Sequence, residues 1–136
     1  MNLIEDNTTF TKVSDIAIPS VFYNRMRTGV EEFDMIFGDG ILPGSSATMT
    51  AQAGCGKTTL LLQLLEALTS QDYSTGYASG EENTYQLAYT CNRLNVKSVK
   101  IANETDIDTL AAAMINLDIL VIDSFQPLTS KKDLNT

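Results

Sequence analysis

The hydrophobic and polar positions of this chain alternate between two periodicities. Apolar residues at helical spacing predict four helices. Two of them cover residues 28–37 and 84–94, one begins directly after residue 58, and the last begins at residue 105. Runs of strand-forming residues separate these helices, at 46–50, 73–79, 99–101 and 117–123. Strands that alternate with helices predict an α/β fold with a mostly parallel sheet flanked by helices, and ligands of such folds bind at the carboxyl ends of the strands.

The apolar side chains of the predicted helices are expected to form the core. The set comprises Val30, Phe33, Ile36 and Phe37 in the first helix, Leu60, Leu61, Leu64, Leu65 and Leu68 in the second, Leu87, Cys91 and Leu94 in the third, and Ile107, Leu110, Ala111, Met114 and Ile115 in the last. Thr105 is predicted as N-cap of the last helix, with Asp108 near its paired position. The apolar run 119–122 predicts a strand buried on both faces.

Length and composition indicate one globular domain. The chain has 136 residues, of which 43% are hydrophobic, enough for a real core. Residues 1–24 are weakly patterned and are interpreted as an N-terminal arm, with the domain over 25–136. No apolar run approaches the roughly 18 residues of a membrane span, and the acidic N-terminus lacks the features of a signal peptide. A cytoplasmic protein is the simple interpretation.

Charge and residue usage exclude several chemistries. The chain contains no histidine, which excludes His-based triads and His metal sites. Its two cysteines, Cys55 and Cys91, are too few for a disulfide framework or a zinc cluster. Cys91 is predicted to be core, and Cys55 is either a small filler or a reactive thiol. The net charge of −8 argues against tight binding of nucleic acid by a monomer.

The segment 51–58 fits the phosphate-binding loop, which has a small residue, four free positions and then Gly-Lys-Thr. Its residues are Ala51, Gln52, Ala53, Gly54, Cys55, Gly56, Lys57 and Thr58, with Thr59 following in the predicted helix. The two glycines allow the backbone to curl with its amides pointing inward, which makes a concave anion site. Lys57 supplies a cation for the outer phosphates, and the Thr58 hydroxyl is placed to bind Mg²⁺. A predicted strand before this loop and a helix after it are the context that the motif requires.

Carboxylates at two predicted strand ends complete a candidate site for ATP and Mg²⁺. Asp123 follows the apolar run 119–122, where it would orient Mg²⁺ or, alternatively, cap a turn. Glu81 and Glu82 follow the predicted strand 73–79, so that one of them would polarise the water that attacks the γ-phosphate, unless both belong to a solvated turn. Lys131 and Lys132 belong to a solvated tail or contact phosphate.

The chain resembles the ATPase core of the RecA superfamily, and most closely its RadA/Sms DNA repair branch. The resemblance extends over about residues 13–130 and is carried by three stretches. These are Thr28, Gly29, Val30, Phe33 and Asp34 with Gly38, Asp39, Gly40, Pro43, Gly44 and Ser45; Ser79, Gly80, Glu81 and Glu82 with Gln86, Arg93 and Leu94; and Glu104, Thr105 and Asp106 with the run from Asp118 to Gln126.

The resemblance implies ATP binding and hydrolysis by a homo-oligomer, a ring or filament, that acts on single-stranded or branched DNA in recombination and repair. It implies that Lys57 holds phosphates, that Thr58 and Asp123 bind Mg²⁺, that Glu81 activates water, and that Gln126 senses the nucleotide. No membrane partner is implied.

The chain also departs from that branch. No cysteine precedes Cys55, so the branch's four-cysteine zinc module is absent from this sequence, and Ala51 stands for the first loop glycine. In the superfamily a further strand lies between the phosphate-loop strand and the Asp-bearing strand, and the DNA-contacting loops follow it. We therefore expect a fragment or a truncated copy. The alternatives are a non-hydrolysing nucleotide-binding or interaction module, or a replicative-helicase-like or clock-type ATPase of the same superfamily.

Overall fold

The sheet sets the architecture of the chain. The computed structural model describes residues 9–124. Strands β1 (Thr75–Ser79), β2 (Lys100–Asn103) and β3 (Ile119–Asp123) form a parallel sheet in the order β2-β1-β3. Tyr77, in the middle of β1, lies opposite Ile101 of β2 and Val121 of β3. The predicted α/β fold with a parallel sheet is confirmed.

Helices connect and flank these strands. They are α1 (Glu31–Ile36), α2 (Lys57–Thr69), α3 (Thr84–Arg93) and α4 (Ile107–Ala113), with single 3₁₀ turns at Val13–Asp15, Ser20–Tyr23 and Met114–Asn116. α3 begins at a capping box, in which the Asn83 side chain accepts from the Gln86 amide and the Gln86 side chain accepts from the Asn83 amide. This reciprocal pair satisfies donors that a helix start otherwise leaves free, and it explains why α3 starts where predicted.

The core lies between α2, α3 and one face of the sheet. Leu62, Leu65, Tyr77, Leu87, Cys91 and Val96 form one buried cluster. Leu62 has no exposed surface, whereas the predicted core residue Leu60 is 41% exposed. Leu64, Leu65 and Leu68 of the predicted stripe are buried, and Leu61 packs against the core. The prediction is wrong only at Leu60, because α2 presents Leu62 to the sheet instead.

The positions of the strands in the sheet correct a second prediction. Every residue of β1 is buried, because β1 is the central strand of the described sheet. β3 was predicted to be buried on both faces, yet all its residues are only half-buried. β3 lies at the edge of the described sheet, so one side of it carries no strand.

The strand predicted at 46–50 does not form. These residues are irregular and exposed and pair with no strand in the part of the chain that is described. A strand needs a neighbouring strand for its backbone hydrogen bonds, and none lies beside this segment among residues 9–124.

The last helix differs from its prediction in its cap and its apolar face. Asp106, rather than Thr105, is the N-cap, and its side chain accepts from the Thr109 amide at 3.0 Å and from the Thr109 hydroxyl at 2.6 Å. Of the predicted apolar face only Leu110 is buried, and Ile107, Ala111, Met114 and Ile115 are exposed.

α1 is shorter and more exposed than predicted. It begins at Glu31 instead of residue 28, and Val30 and Ile36 of its predicted apolar face are exposed. Phe33 and Phe37, predicted to share one face, lie side by side with ring centroids 5.0 Å apart. Residues 9–23 ahead of it are exposed throughout.

Asp34 stabilises the backbone conformation of the segment before the phosphate loop through hydrogen bonds. It is 6% exposed, and its carboxylate accepts from the Thr28 amide at 2.9 Å, the Thr28 hydroxyl at 2.8 Å and the Gly29 amide at 3.0 Å. Burial raises the pKa of Asp34, but these hydrogen bonds and the Arg27 charge outweigh it and hold the pKa below its ordinary value. The motif residues Thr28, Gly29 and Asp34 therefore have a structural role.

Replacing Asp34 by Asn is expected to lower the free energy of unfolding by about 2 kcal/mol at pH 7, because an amide turned toward buried donors leaves one unpaired. Because folding lowers the pKa of Asp34, its ionised carboxylate stabilises the fold at pH values above the ordinary carboxyl pKa of about 4. This stabilisation is lost as the pH falls through the pKa of the folded state. The difference in unfolding free energy between wild type and Asp34→Asn should therefore shrink toward pH 3. Urea unfolding at both pH values measures it.

The matched control for that experiment is Glu32→Gln, at an exposed position of the same helix. It should change the unfolding free energy by no more than about 0.5 kcal/mol. Equal losses in the two variants would show that Asp34 has no special structural role.

Within residues 9–124, none of the helices has both the length and the apolar composition needed to span a lipid bilayer. Several predictions fall on residues outside the described part, namely those for 1–8, Phe125, Gln126, Lys131 and Lys132.

Candidate functional site

The loop 51–56 is exposed and curls immediately before α2. Gly54 has φ 79° and Gly56 has φ 89°, which are left-handed conformations that favour glycine. Gly56 is the N-cap of α2, and Lys57 is the first residue of that helix. The free amides of the helix start therefore lie beside the loop, as an anion site requires.

The side chains of α2 and β3 meet at the carboxyl edge of the sheet. Lys57 Nζ lies 2.9 Å from Asp123 Oδ1, and the Thr58 hydroxyl donates to Asp123 Oδ2 at 3.4 Å. Lys57 and Asp123 are both half-buried, with side chains 30% and 18% exposed. The structure thus brings together three of the residues that the sequence singled out, although 65 positions separate Thr58 from Asp123.

A residue that sequence reasoning missed belongs to the same cluster. The Tyr77 hydroxyl donates to Asp123 Oδ2 at 2.5 Å, and Tyr77 is 2% exposed. Tyrosine is an ordinary strand former, so the sequence carries no sign of this role beyond one large side chain with a polar end in a strand of otherwise small residues.

Electrostatics hold this cluster in one protonation state. Its hydrogen bond with Asp123 raises the pKa of Lys57, burial opposes the rise, and the charges of Asp123 and Glu81 add to it. Burial raises the pKa of Asp123, but hydrogen bonds from Tyr77 and Lys57 outweigh this and leave it below the ordinary value. Burial and the bond to Asp123 raise the pKa of Tyr77 above its usual range, so the phenol remains a donor.

Glu81 and Glu82 follow β1 in a turn built on Ser79. The Ser79 hydroxyl accepts from the Glu81 amide at 3.2 Å and from the Glu82 amide at 2.9 Å. The Gly80 amide donates to the Asp123 carbonyl at 3.1 Å, which ties this turn to the end of β3. Glu81 is exposed and Glu82 half-buried.

The donor set suits a magnesium ion that shares its ligands with phosphate. Mg²⁺ usually takes one or two protein carboxylates or hydroxyls and completes its shell with water and phosphate oxygens. The Thr58 hydroxyl and the Asp123 carboxylate are adjacent oxygens that fit this pattern.

Most of the remaining predicted site residues lie in the exposed loop before α2. Ala51, Gln52, Ala53 and Cys55 are exposed in the loop, and Thr59 is half-buried in the first turn of α2. The Cys55 amide donates to the Gln52 carbonyl at 3.3 Å, inside the loop. Cys91 is buried, as predicted for a core residue, and burial raises its pKa.

Comparison with known proteins gives one family and a consistent set of relatives. The family described as "ATPase: KaiC" matches residues 26–131. The DNA repair protein RadA of Chlamydia pneumoniae is 37% identical over 123 residues, covering 85% of this chain. The same-named protein of Escherichia coli K12 is 38% identical over 119 residues, covering 85%, and that of Streptococcus pneumoniae is 34% identical over 134 residues, covering 96%.

These relatives are much longer than the chain. The matched part is 27% of the Chlamydia protein, 25% of the Escherichia protein and 31% of the Streptococcus protein. The chain therefore spans between a quarter and a third of the relatives that it matches.

Proposed function

The chain belongs to the KaiC ATPase family, and from that premise we propose that it binds ATP with Mg²⁺ where the loop 51–58 meets the end of β3. The observation that carries this proposal is the convergence of Lys57, Thr58 and Asp123 within hydrogen-bonding distance. A cation, a hydroxyl and a carboxylate beside a helix start are the groups that a metal-bound triphosphate needs.

Lys57 has to change partners in this proposal. In the described structure it is paired with Asp123, and the phosphates would take the place of that carboxylate. The curled backbone of Gly54 and Gly56 would supply amide donors to the same phosphates. Binding is then an exchange of one anion for another at Lys57, at modest cost because the cation is never left unpaired.

Thr58 and Asp123 would hold Mg²⁺, which when bound neutralises charge on the phosphate oxygens. Glu81 would accept a hydrogen bond from the attacking water and orient it. Its carboxylate is exposed, and its negative charge is one of the causes that raise the pKa of Lys57. This part of the proposal makes the chain an ATP-hydrolysing enzyme.

The identity to proteins named DNA repair protein RadA supports a further part of the proposal, namely that ATP turnover serves DNA repair. The net charge of −8 makes a single chain a poor ligand for phosphate backbones. Because this charge adds up in an assembly, contact with DNA would need a basic surface of its own. We propose that a homo-oligomer contacts single-stranded or branched DNA through such a surface.

A second candidate is a module that binds nucleotide without hydrolysing it. The irregular, exposed conformation of 46–50 favours it, because, within residues 9–124, the loop 51–56 is followed by a helix but is not preceded by a strand that would fix its other end. Hydrolysis needs donors held to within about 0.5 Å, whereas binding tolerates a looser loop.

Phosphate release by the 136-residue chain, with and without single-stranded DNA, separates these candidates. The proposal predicts Mg²⁺-dependent turnover that DNA changes. Binding of ATP with no turnover under either condition would favour the module. Absence of both binding and turnover would contradict both candidates.

Replacing Asp123 by Asn is expected to strengthen ATP binding in EDTA by about two- to fivefold, because Lys57 no longer has to leave an ion pair worth up to about 1 kcal/mol. With Mg²⁺ the same variant should bind ATP more weakly than wild type, because a metal ligand is lost. Fluorescence titration in the two buffers measures both changes, the rise in ATP affinity in EDTA and the fall in ATP affinity with Mg²⁺. A fall in affinity in EDTA would show that the Lys57–Asp123 pair does not compete with phosphate.

A further inference from the structure

Tyr77 combines a buried ring with a phenol that reaches the site. Its ring packs in the core cluster with Leu62, Leu65 and Leu87. Two residues along a parallel strand advance by about 6.6 Å, and the long side chain of Tyr77 covers this distance from the register of Val121 to Asp123. Shorter strand residues would fill the core without reaching Asp123.

The Asp123 carboxylate is held from two sides. Lys57 of α2 binds Oδ1, whereas Tyr77 of β1 binds Oδ2, to which the Thr58 hydroxyl also donates at the longer distance of 3.4 Å. The two contacts differ in what nucleotide binding would do to them. Lys57 would turn to phosphate, but Tyr77 is fixed in the sheet and keeps its place.

We propose that Tyr77 is a positioning residue, which holds the Asp123 carboxylate in the orientation that Mg²⁺ requires once Lys57 has moved to the phosphates. This inference rests on the proposed function, since it assigns a task at the same site. A carboxylate released by Lys57 is free to rotate about its side-chain bonds, and ordering it again costs conformational entropy. The phenol removes that cost, because its donor is fixed by the packing of its ring.

A purely structural tyrosine predicts something else. A buried hydroxyl needs a partner in any case, and on that view Tyr77→Phe would only lower the stability of the fold. The two roles separate because orientation of Asp123 affects the metal and leaves metal-free binding of the nucleotide unchanged.

The test is titration of the whole chain with a fluorescent, non-hydrolysable ATP analogue, first in EDTA and then over a series of Mg²⁺ concentrations. For Tyr77→Phe we expect the EDTA affinity to stay within about twofold of wild type, while the Mg²⁺ concentration for half-maximal enhancement rises about tenfold, as loss of a hydrogen bond to a charged group predicts. Tyr89→Phe, on the exposed face of α3, is the control and should match wild type in both.

The double variant Tyr77→Phe with Asp123→Asn provides a second test of the same Mg²⁺ dependence. Once the carboxylate is gone, Tyr77→Phe should not shift the Mg²⁺ dependence further. An additional shift in that background would overturn the inference, because the phenol would then act on the metal by some other route.

Other results overturn the inference in distinguishable ways. An unchanged Mg²⁺ dependence in Tyr77→Phe would exclude a positioning role while leaving the ATP site intact. An equal fall in affinity with and without Mg²⁺ would show that Tyr77 supports the nucleotide site as a whole and does not act through the metal. If the wild-type chain failed to bind the analogue in either buffer, the proposed function itself would fail and this inference with it.

Discussion

Replacing Glu81 by Gln is expected to lower the rate of ATP hydrolysis by about 10²–10⁴-fold, the range for loss of a group that transfers or orients a proton. The affinity for ATP should change little, because Gln has the same size and Glu81 is exposed. Its backbone is fixed by the Ser79 hydroxyl, so the substitution removes a charge without releasing the turn. Steady-state phosphate release and a binding titration measure the two effects separately.

Glu82→Gln is the matched control for that experiment, since Ser79 holds both amides. The sequence alone left open which of the two carboxylates acts. A large loss in Glu82→Gln with little loss in Glu81→Gln would reverse their roles. If wild type binds ATP without turnover, the non-hydrolysing module replaces the hydrolytic proposal.

Replacing Lys57 by Ala is expected to weaken binding of Mg²⁺-ATP by roughly 10- to 150-fold, which corresponds to about 1.5–3 kcal/mol for a hydrogen bond between charged groups. The variant also leaves Asp123 without its ion pair, so its unfolding should be measured beside wild type. Titration calorimetry then gives the affinity of the folded protein.

Lys97→Ala provides the control for lost charge, because Lys97 is exposed and lies on a loop after α3. It should bind ATP like wild type. Equal affinities of Lys57→Ala and wild type would remove the loop 51–58 from the proposed site, whatever the geometry around Asp123.

Local sequence signals predicted the parts of the fold that local interactions form. α3 starts as predicted because its capping box lies within four consecutive residues. The curl of the phosphate loop follows from Gly54 and Gly56, which take positive φ. These features depend on neighbours in sequence, so a pattern in the sequence is sufficient to predict them.

Features that depend on distant partners were not predictable in the same way. The segment 46–50 has strand-forming residues but no adjacent strand in the described part, and no pattern within the segment carries that information. Leu62 rather than Leu60 enters the core because the sheet fixes the rotation of α2.

The same distinction applies to the candidate site. The sequence predicted that Lys57, Thr58 and Asp123 would meet, because the carboxyl ends of parallel strands share one edge. Tyr77 was missed, since its role depends on the register of β1 against β3. Only that register brings its hydroxyl to Asp123.

Whether the loop 51–58 forms a nucleotide site is tested by titration of the wild-type 136-residue chain with ATP in the presence of Mg²⁺. We expect saturable binding at one site per chain, tighter than about 1 mM, and weaker binding in EDTA, because a metal shared by Thr58 and Asp123 is then absent. If the folded chain does not bind ATP at millimolar concentration, the proposed site is wrong.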